Sequence, residues 1–344
     1  MRHYIGLDVS LKETHICVVD ETAKIVWQGE CETLATSIAA CVDPFGHSIE
    51  VIALETGGQS SWLQQGLRDL GLPAVIVDAR RAKAALSCRL NKTDRNDAEG
   101  LAQLARTRWY REVAAKSENT RFIRSQLLGR HLLVKQLRDI QNQIRGILRG
   151  LGLQVGRVSR MRFEARIWEL ISDHPALEPA MAALLSVRRS VIARINDLDK
   201  SLSQLCKGSE LCRRLMSVPG VGPLVCLSFI TAIDDPKRFQ KSSSVGAYLG
   251  LTPRIYQSGD TLRCGRISKH GDNLSRHMLY EAANVLLTNP KGKWSKLKAW
   301  GMKLVQKIGS KKARVAVARK LSVILHRIWM DGTEFSWGNK EVAA

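Results

Sequence analysis

Four acidic residues stand where they could do chemistry. Asp8 lies inside the apolar run "YIGLDV", and Glu55 ends a second run, "VIALE", just before Gly57 and Gly58. Asp94 and Asp97 are three residues apart in "NKTDRNDAEG", a stretch that reads as the start of a helix, where residues i and i+3 share a face. An unpaired charge in an apolar strand is costly, so Asp8 requires compensation. Two strand acids and a helical pair can converge on one sheet edge, and four carboxylates that close repel each other unless cations sit between them. Mg²⁺ is hard, prefers oxygen ligands and leaves positions open for phosphate. Two such ions about 4 Å apart can stabilise both the attacking and leaving oxygens in phosphodiester cleavage. Each acid also has an ordinary reading: Asp8 as a turn residue, Glu55 as a helix cap, Asp94 as a helix-start charge, Asp97 as a partner of Arg95 or Arg106.

A second constellation lies in "RIYQSGDTLRCGRISKHGD". Ser258 precedes Gly259, with Arg254, Arg263, Arg266 and Lys269 close by. A serine is a weak nucleophile until activated, and arginines would stabilise the charge on a phosphate under attack. Taken alone, Ser-Gly-Asp is a common hairpin turn. Ser268, in "RISK", is the second candidate. Upstream, "VPGVGP" joins two apolar helical runs. A Gly turn of this kind, with Gly220 and Gly222, can point backbone N–H groups at a phosphate, as helix-hairpin-helix elements do, or simply join two packed helices.

The elements that must position these residues follow from pattern. Three short strands, "YIGLDV", "THICVVD" and "KIVWQGE", are separated by tight polar turns and predict an antiparallel meander. A helix ("TLATSIAACV"), a buried strand ("IEVIALE"), a helix closed by Gly71, a fifth strand ("PAVIVDA") and a helix over about 93–107 follow. This is α/β with a mixed sheet. The middle is helical: Leu133, Leu137, Ile140, Ile144, Ile147 and Leu151 form one heptad seam, and Val191, Ile195, Leu198, Leu202 and Leu205 a second. They fit an antiparallel coiled-coil hairpin, a dimerisation element or an amphipathic pair in a bundle. The expected organisation is 1–115 for the acidic α/β domain, 116–208 for the helical segment, 209–330 for a mostly α-helical domain with the Gly turn and serine loop, and 331–344 for a tail.

Charge narrows the partner. The chain of 344 residues has a formal net charge of +21, and the charge is segregated. Residues 1–78 hold 11 acids and 4 bases; the remainder holds 21 acids and 49 bases, and from Ala282 to Met330 there is no acid. A solvated surface does not need such segregation, whereas a polyanion does, and nucleic acid is the usual one. The eight cysteines are scattered singly without CxxC or Cys/His zinc spacing and read as reduced thiols in a cytoplasm. The start has no signal-peptide pattern, and no apolar run reaches the ~18 residues of a membrane span.

"YIGLDVSLKETHICVVD", "ALETGG" and "KTDRNDAEGLAQL" resemble the D, E and D-x-x-D segments of the DEDD insertion-sequence transposases; "VPGVGP", "AYLGLTPRIYQSGD" and "GRISKHGD" resemble the second half of that family. The resemblance runs from about Tyr4 to Leu287. It implies a RuvC-like domain of ribonuclease-H fold, with Asp8, Glu55, Asp94 and Asp97 in the four acidic roles around Mg²⁺, two ions per site. It further implies a serine that attacks DNA to give a 5′-phosphoserine link, in a composite site drawn from two subunits. Ser258 is the position shared between Gln257-Ser258-Gly259-Asp260 here and the Ser-Ser-Gly-Gly of many relatives; His270 stands where an arginine is common. Donor and target DNA, a structured guide ("bridge") RNA, a dimer or tetramer, and a bacterial or archaeal nucleoid setting are the implied partners and location. Two other readings stay open: a metal-only, structure-selective nuclease of the RuvC type, and a nucleic-acid-binding protein whose acids bind no metal.

Overall fold

The computed structural model describes residues 1–78 and 93–337; Cys88 and the last seven residues of the predicted tail lie outside them. The chain divides into two compact units, Met1–Ser117 and Glu118–Ala344.

The first unit is built on a five-stranded mixed sheet in the order β3-β2-β1-β4-β5. β1 (His3–Val9), β2 (Glu13–Asp20) and β3 (Ile25–Glu32) form the antiparallel meander expected from their short turns. At the β2–β3 turn the Asp20 carboxylate accepts from the Thr22 hydroxyl and from the backbone N–H groups of Thr22 and Lys24. The Thr22 hydrogen bond, with those backbone bonds, holds the acid below its ordinary carboxylate range. Crossovers then add β4 (Ile49–Glu55) parallel to β1, and β5 (Ala74–Val77) parallel to β4, so the central strands are buried on both sides. α1 (Ala35–Val42) and α2 (Ser60–Asp69) cover the face carrying Ile5, Leu7, Ile16, Val18, Ile52 and Leu54. α3 (Asp94–Thr107) covers the opposite face, packing Ala98, Leu101, Ala102 and Ala105 on Tyr4, Cys17, Val19, Val51 and Ala53.

The second unit is helical apart from one hairpin. α4 (Glu118–Gly150) and α6 (Glu178–Lys207) pack antiparallel: Arg130 pairs with Asp199 and Gln126 with Ser201 near one end, while Ile144 and Leu148 meet Met181 and Leu185 near the other. α5 (Phe163–Leu170) closes that far end. The predicted α4 seam is only partly the buried face. Ile144 is buried; Leu133, Leu137, Ile140 and Ile147 are half-buried and Leu151 is exposed, while Leu127 and Leu148, outside the seam, are buried. Burial is concentrated where the helix meets a core: Leu127 joins the cluster shared with α8 at one end, and Ile144 and Leu148 join the cluster with α5 at the other.

The other end of the pair joins a core shared with α7 (Glu210–Met216), α8 (Pro223–Ile233), α9 (Ser244–Tyr248), α10 (Asn273–Thr288), α11 (Lys296–Ile308) and α12 (Ser310–Asp331). β6 (Pro253–Ser258) and β7 (Thr261–Ile267) form an exposed hairpin between α9 and α10.

One close approach sets the position of α3. A Cβ on Gly6 would lie 2.0 Å from the Ala98 carbonyl oxygen and 2.3 Å from the Ala102 nitrogen. Backbone cannot yield as a side chain can, so Gly6→Ala should cost about 3 kcal/mol through overpacking; urea unfolding of the variant measures it.

Candidate functional site

The strand pattern decides which way the first two acids point. Along β1, Ile5 and Leu7 face the α1–α2 side, and Tyr4 and Gly6 face α3; alternation puts Asp8 on the α3 side. On β4, Val51 and Ala53 face α3, so Glu55 does too. β1 and β4 are parallel, with Leu7 opposite Leu54, which places Asp8 and Glu55 side by side at the carboxyl ends of adjacent central strands. The Ser60 hydroxyl donates to the Glu55 carbonyl oxygen at 2.8 Å, and the Thr56 N–H donates to Val77 O, so the strand end carrying Glu55 is held from both sides.

Helix α3 supplies the second pair. Thr93 is its N-cap, accepting from the Asn96 N–H at 3.2 Å, and Asp94 and Asp97 occupy the first turn, where the helix dipole favours negative charge. Gly6 meets Ala98 and Ala102, so one turn earlier on the helix corresponds to a step up β1 towards Asp8. A polar contact marks the convergence: His15, the cross-strand partner of Asp8, has Asp94 Oδ2 3.7 Å from Nε2 and Glu30 Oε2 3.6 Å from Nδ1. Asp94 is exposed, and Asp8, Glu55 and Asp97 are half-buried. The ordinary reading of Glu55 as a cap does not hold, because the N-cap of α2 is Gln59 and no side chain caps the helix. The four acids share one end of the sheet but are not drawn to a point: among the described residues, three ligand atoms within 4.8 Å of one another occur at Cys206, Cys212 and Cys226. Like charges hold apart, and a two-ion site about 4 Å across does not require four oxygens at one place.

The serine segment is a hairpin. Ser258 ends β6 opposite Thr261, and Gly259 in the turn has a φ of 53°. Both neighbouring strands are exposed, which leaves the hydroxyl open to a large substrate. Tyr256 pairs with Arg263, and both lie on the Ser258 face of the hairpin by alternation. Arg254 instead donates to the Ser268 carbonyl oxygen at 3.3 Å, and the Ser268 hydroxyl accepts from the His270 N–H. Gly271 packs on the end of α9, where an added Cβ would meet the Tyr248 carbonyl oxygen at 2.0 Å.

Arg266 and Lys269 turn to a different place. They line a cavity of about 1290 Å³ between the base of the hairpin and helices α11 and α12. Its other cations form two rows along α12, Lys311 with Arg319 and Lys312 with Lys320, each pair eight residues apart, with Val315, Ala316 and Val323 at four-residue steps in the same rows. These four were not singled out in the sequence; the acid-free stretch over 282–330 was the signal that contained them. The Gly turn has a packing reason of its own: Gly220, at a φ of 84°, leaves no room for a Cβ, which would meet the Ala282 carbonyl oxygen at 2.4 Å. Gly222 has open space around its Cβ position and is the N-cap of α8.

The cysteine trio is the feature that sequence spacing missed. Cys206, Cys212 and Cys226 have intervals of 6 and 14, which match no short motif. Hydrogen bonds from Cys206 and then Cys226 favour the thiolate at Cys212, while the contact with Cys212 pushes the Cys206 thiol up to about 12.

Two family models match this chain. The DEDD model of the IS110 group, described as "Transposase", matches residues 5–152, and the "Transposase IS116/IS110/IS902 family" model matches residues 212–298. The four acids fall in the first span; Gly220, Gly222 and Ser258 fall in the second. The first match implies a ribonuclease-H-like fold for the mixed sheet. Similar proteins include the transposase for insertion sequence element IS1111A of Coxiella burnetii, 28% identical over 93% of this chain and 88% of that protein. A probable family 20 transposase of Pseudomonas aeruginosa is 27% identical over 93% of this chain and 95% of its own length. The transposase for insertion sequence element IS1328 of Yersinia enterocolitica is 23% identical over 83% of this chain and 85% of its own length.

Because the Thr93 hydroxyl opens the helix that carries Asp94 and Asp97, Thr93→Ala should cost about 1 kcal/mol, and Thr93→Ser should restore most of it; thermal melts of the two variants compare them.

Proposed function

We propose, for a chain that belongs to the DEDD insertion-sequence transposases and is therefore an enzyme that cleaves and recombines DNA, a recombination reaction shared between the carboxylates of the first unit and the serine of the second. The observation that carries the reading is the register of Asp8 and Glu55 on adjacent strand ends beneath the first turn of α3. Asp8, Glu55, Asp94 and Asp97 form a hard, all-oxygen donor set, which fits Mg²⁺. Bound there, divalent ions would supply charge stabilisation to a phosphodiester under displacement. The remaining chemistry belongs to the chain. Ser258 Oγ attacks phosphorus and forms a P–O bond; the P–O3′ bond breaks, and the proton lost from the serine ends on the departing 3′ oxygen. The product is a 5′-phosphoserine link that a different 3′ hydroxyl reverses by attacking the same phosphorus. Arg263, on the Ser258 face of the hairpin, is placed to stabilise the charge on that phosphate.

The basic groove supports a polyanionic partner beyond the scissile phosphate. Arg266, Lys269 and the four α12 cations present a cationic surface over an apolar floor, with Trp300 at its edge. Donor DNA, target DNA and a structured guide RNA are the proposed occupants of the basic second unit. The antiparallel pair α4–α6 is the proposed coiled-coil oligomerisation element of a dimer or tetramer, and the Gly220–Gly222 turn the proposed helix-hairpin-helix-like backbone contact. No described helix is long and apolar enough to cross a membrane; a cytoplasmic, nucleoid-associated setting completes the proposal.

Three outcomes test these assignments. Asp8→Asn and Asp97→Asn should abolish strand cleavage yet melt at or above the wild-type temperature without Mg²⁺, since each relieves like-charge repulsion; Mg²⁺ should raise the melting temperature of wild type alone. On a suicide DNA substrate, wild type should be trapped on a 5′ phosphate through Ser258, located by peptide mass spectrometry. Ser258→Ala should form no adduct while binding DNA normally. An adduct on Ser268 would move the role there, and cleavage by the alanine variant without any adduct would favour the metal-only nuclease. Lys312→Ala combined with Lys320→Ala should weaken nucleic-acid binding regardless of sequence and reduce the slope of log K against log salt by about 2.

A further inference from the structure

Three thiols from three helices meet inside the second unit. Cys206 lies in the last turn of α6, Cys212 in α7 and Cys226 in the first turn of α8. Each is 2% exposed or less, and their sulfurs all lie within 4.8 Å of one another. An ion at the centre of an equilateral triangle of that side sits about 2.8 Å from each corner; drawing the sulfurs in by a few tenths of an ångström reaches the ~2.3 Å of a Zn–S bond. Buried cysteines often serve as small apolar side chains, but that role gives three of them no reason to face each other. The other acceptors that Cys206 and Cys226 reach are backbone carbonyls, Pro223 O and Cys212 O, each 3.9 Å away.

We propose that Cys206, Cys212 and Cys226 form a closed structural site for a soft d¹⁰ metal ion, Zn²⁺ or Cu⁺. Three sulfur donors select thiophilic ions over the hard ions suited to the acids of the first unit. Binding needs all three sulfurs as thiolates and releases the protons they still carry, so it strengthens as pH rises. Cu⁺ is satisfied by three thiolates. Zn²⁺ takes four ligands, and would need one more donor beside the three sulfurs; the carbonyl oxygens of Pro223 and Cys212 each lie 3.9 Å from one of them. Burial leaves no open position for water or substrate, so the site holds structure rather than performing chemistry. What it would hold is specific: the end of the long helix α6, the short helix α7 and the start of α8, which bracket the turn over 217–222. A seven-residue helix has little stability of its own, and a three-point clip would fix it.

The test uses the full chain and is independent of the assignments of the acids and the serine. Elemental analysis of protein purified under reducing conditions should find about one zinc or copper per chain, and the element found names the ion. Cobalt(II) added to the metal-stripped protein should give a thiolate-to-cobalt charge-transfer band that saturates at one equivalent; carboxylate-bound cobalt gives none. Cys226→Ala and Cys206→Ala should each lose the band, and Asp8→Asn should keep it. Absence of both metal and band in wild type, a band that survives both cysteine variants, or a disulfide between two of the three would overturn the proposal. The wild-type measurements stand even where a cysteine variant fails to fold.

Discussion

Helix α3 rests on the sheet at backbone distance because Gly6 has no side chain, and the arrangement of the acids depends on that approach. Any Cβ at this position would run into the Ala98 carbonyl and the Ala102 nitrogen. Lifting the helix would carry Asp94 and Asp97 away from the strand ends that hold Asp8 and Glu55. The contact is also regular: small residues on α3, Ala98, Ala102 and Ala105, face the strands and allow the close packing. The same glycine that would be a weak point in an ordinary strand is what lets two elements from distant parts of the sequence present charge at one edge.

The two units divide the electrostatic work. The first is close to neutral, with 15 acids against 14 bases over residues 1–117, and several of its acids lie at the sheet end, where they suit cations. The second carries the cations, arranged in rows along α12 and around the hairpin, where they suit phosphate. The proposed recombination needs both, because it must bring a polyanion to a cluster of carboxylates that would otherwise repel it. On the proposed reading, ions at the acids would neutralise the cluster locally, and the basic surface would retain the nucleic acid through many weak phosphate contacts.

Packing in the second unit gives several conspicuous sequence features a structural reason. Gly220 is required by its approach to Ala282, and Gly271 by its approach to Tyr248. The apolar runs flanking "VPGVGP" form the wall of one core that also takes Leu127 and Leu202 from the long helices. These helices are therefore tied at one end into the same core as α8 and α10, while a separate cluster around Phe163 and Met181 closes the other end.

The sequence by itself determined the elements of the first unit, their order and the antiparallel meander, because short apolar strands joined by tight polar turns are local properties. It also located the acids and the serine segment, since a charge inside an apolar run is visible without neighbours, and it located the basic region through the acid-free stretch after Ala282. Tertiary structure decided what local pattern could not. The faces of Asp8 and Glu55 follow from which side of the sheet receives α3. Arg266 and Lys269 part from Arg263 because the base of the hairpin, with Lys269 beyond the end of β7 at a φ of 56°, borders α12, whereas Arg263 lies nearer the turn. The heptad row on α4 is half exposed because its burial depends on where α6 and α5 lie. Cys206, Cys212 and Cys226 meet because three helices converge in one core, a proximity in space that intervals of 6 and 14 along the chain do not encode.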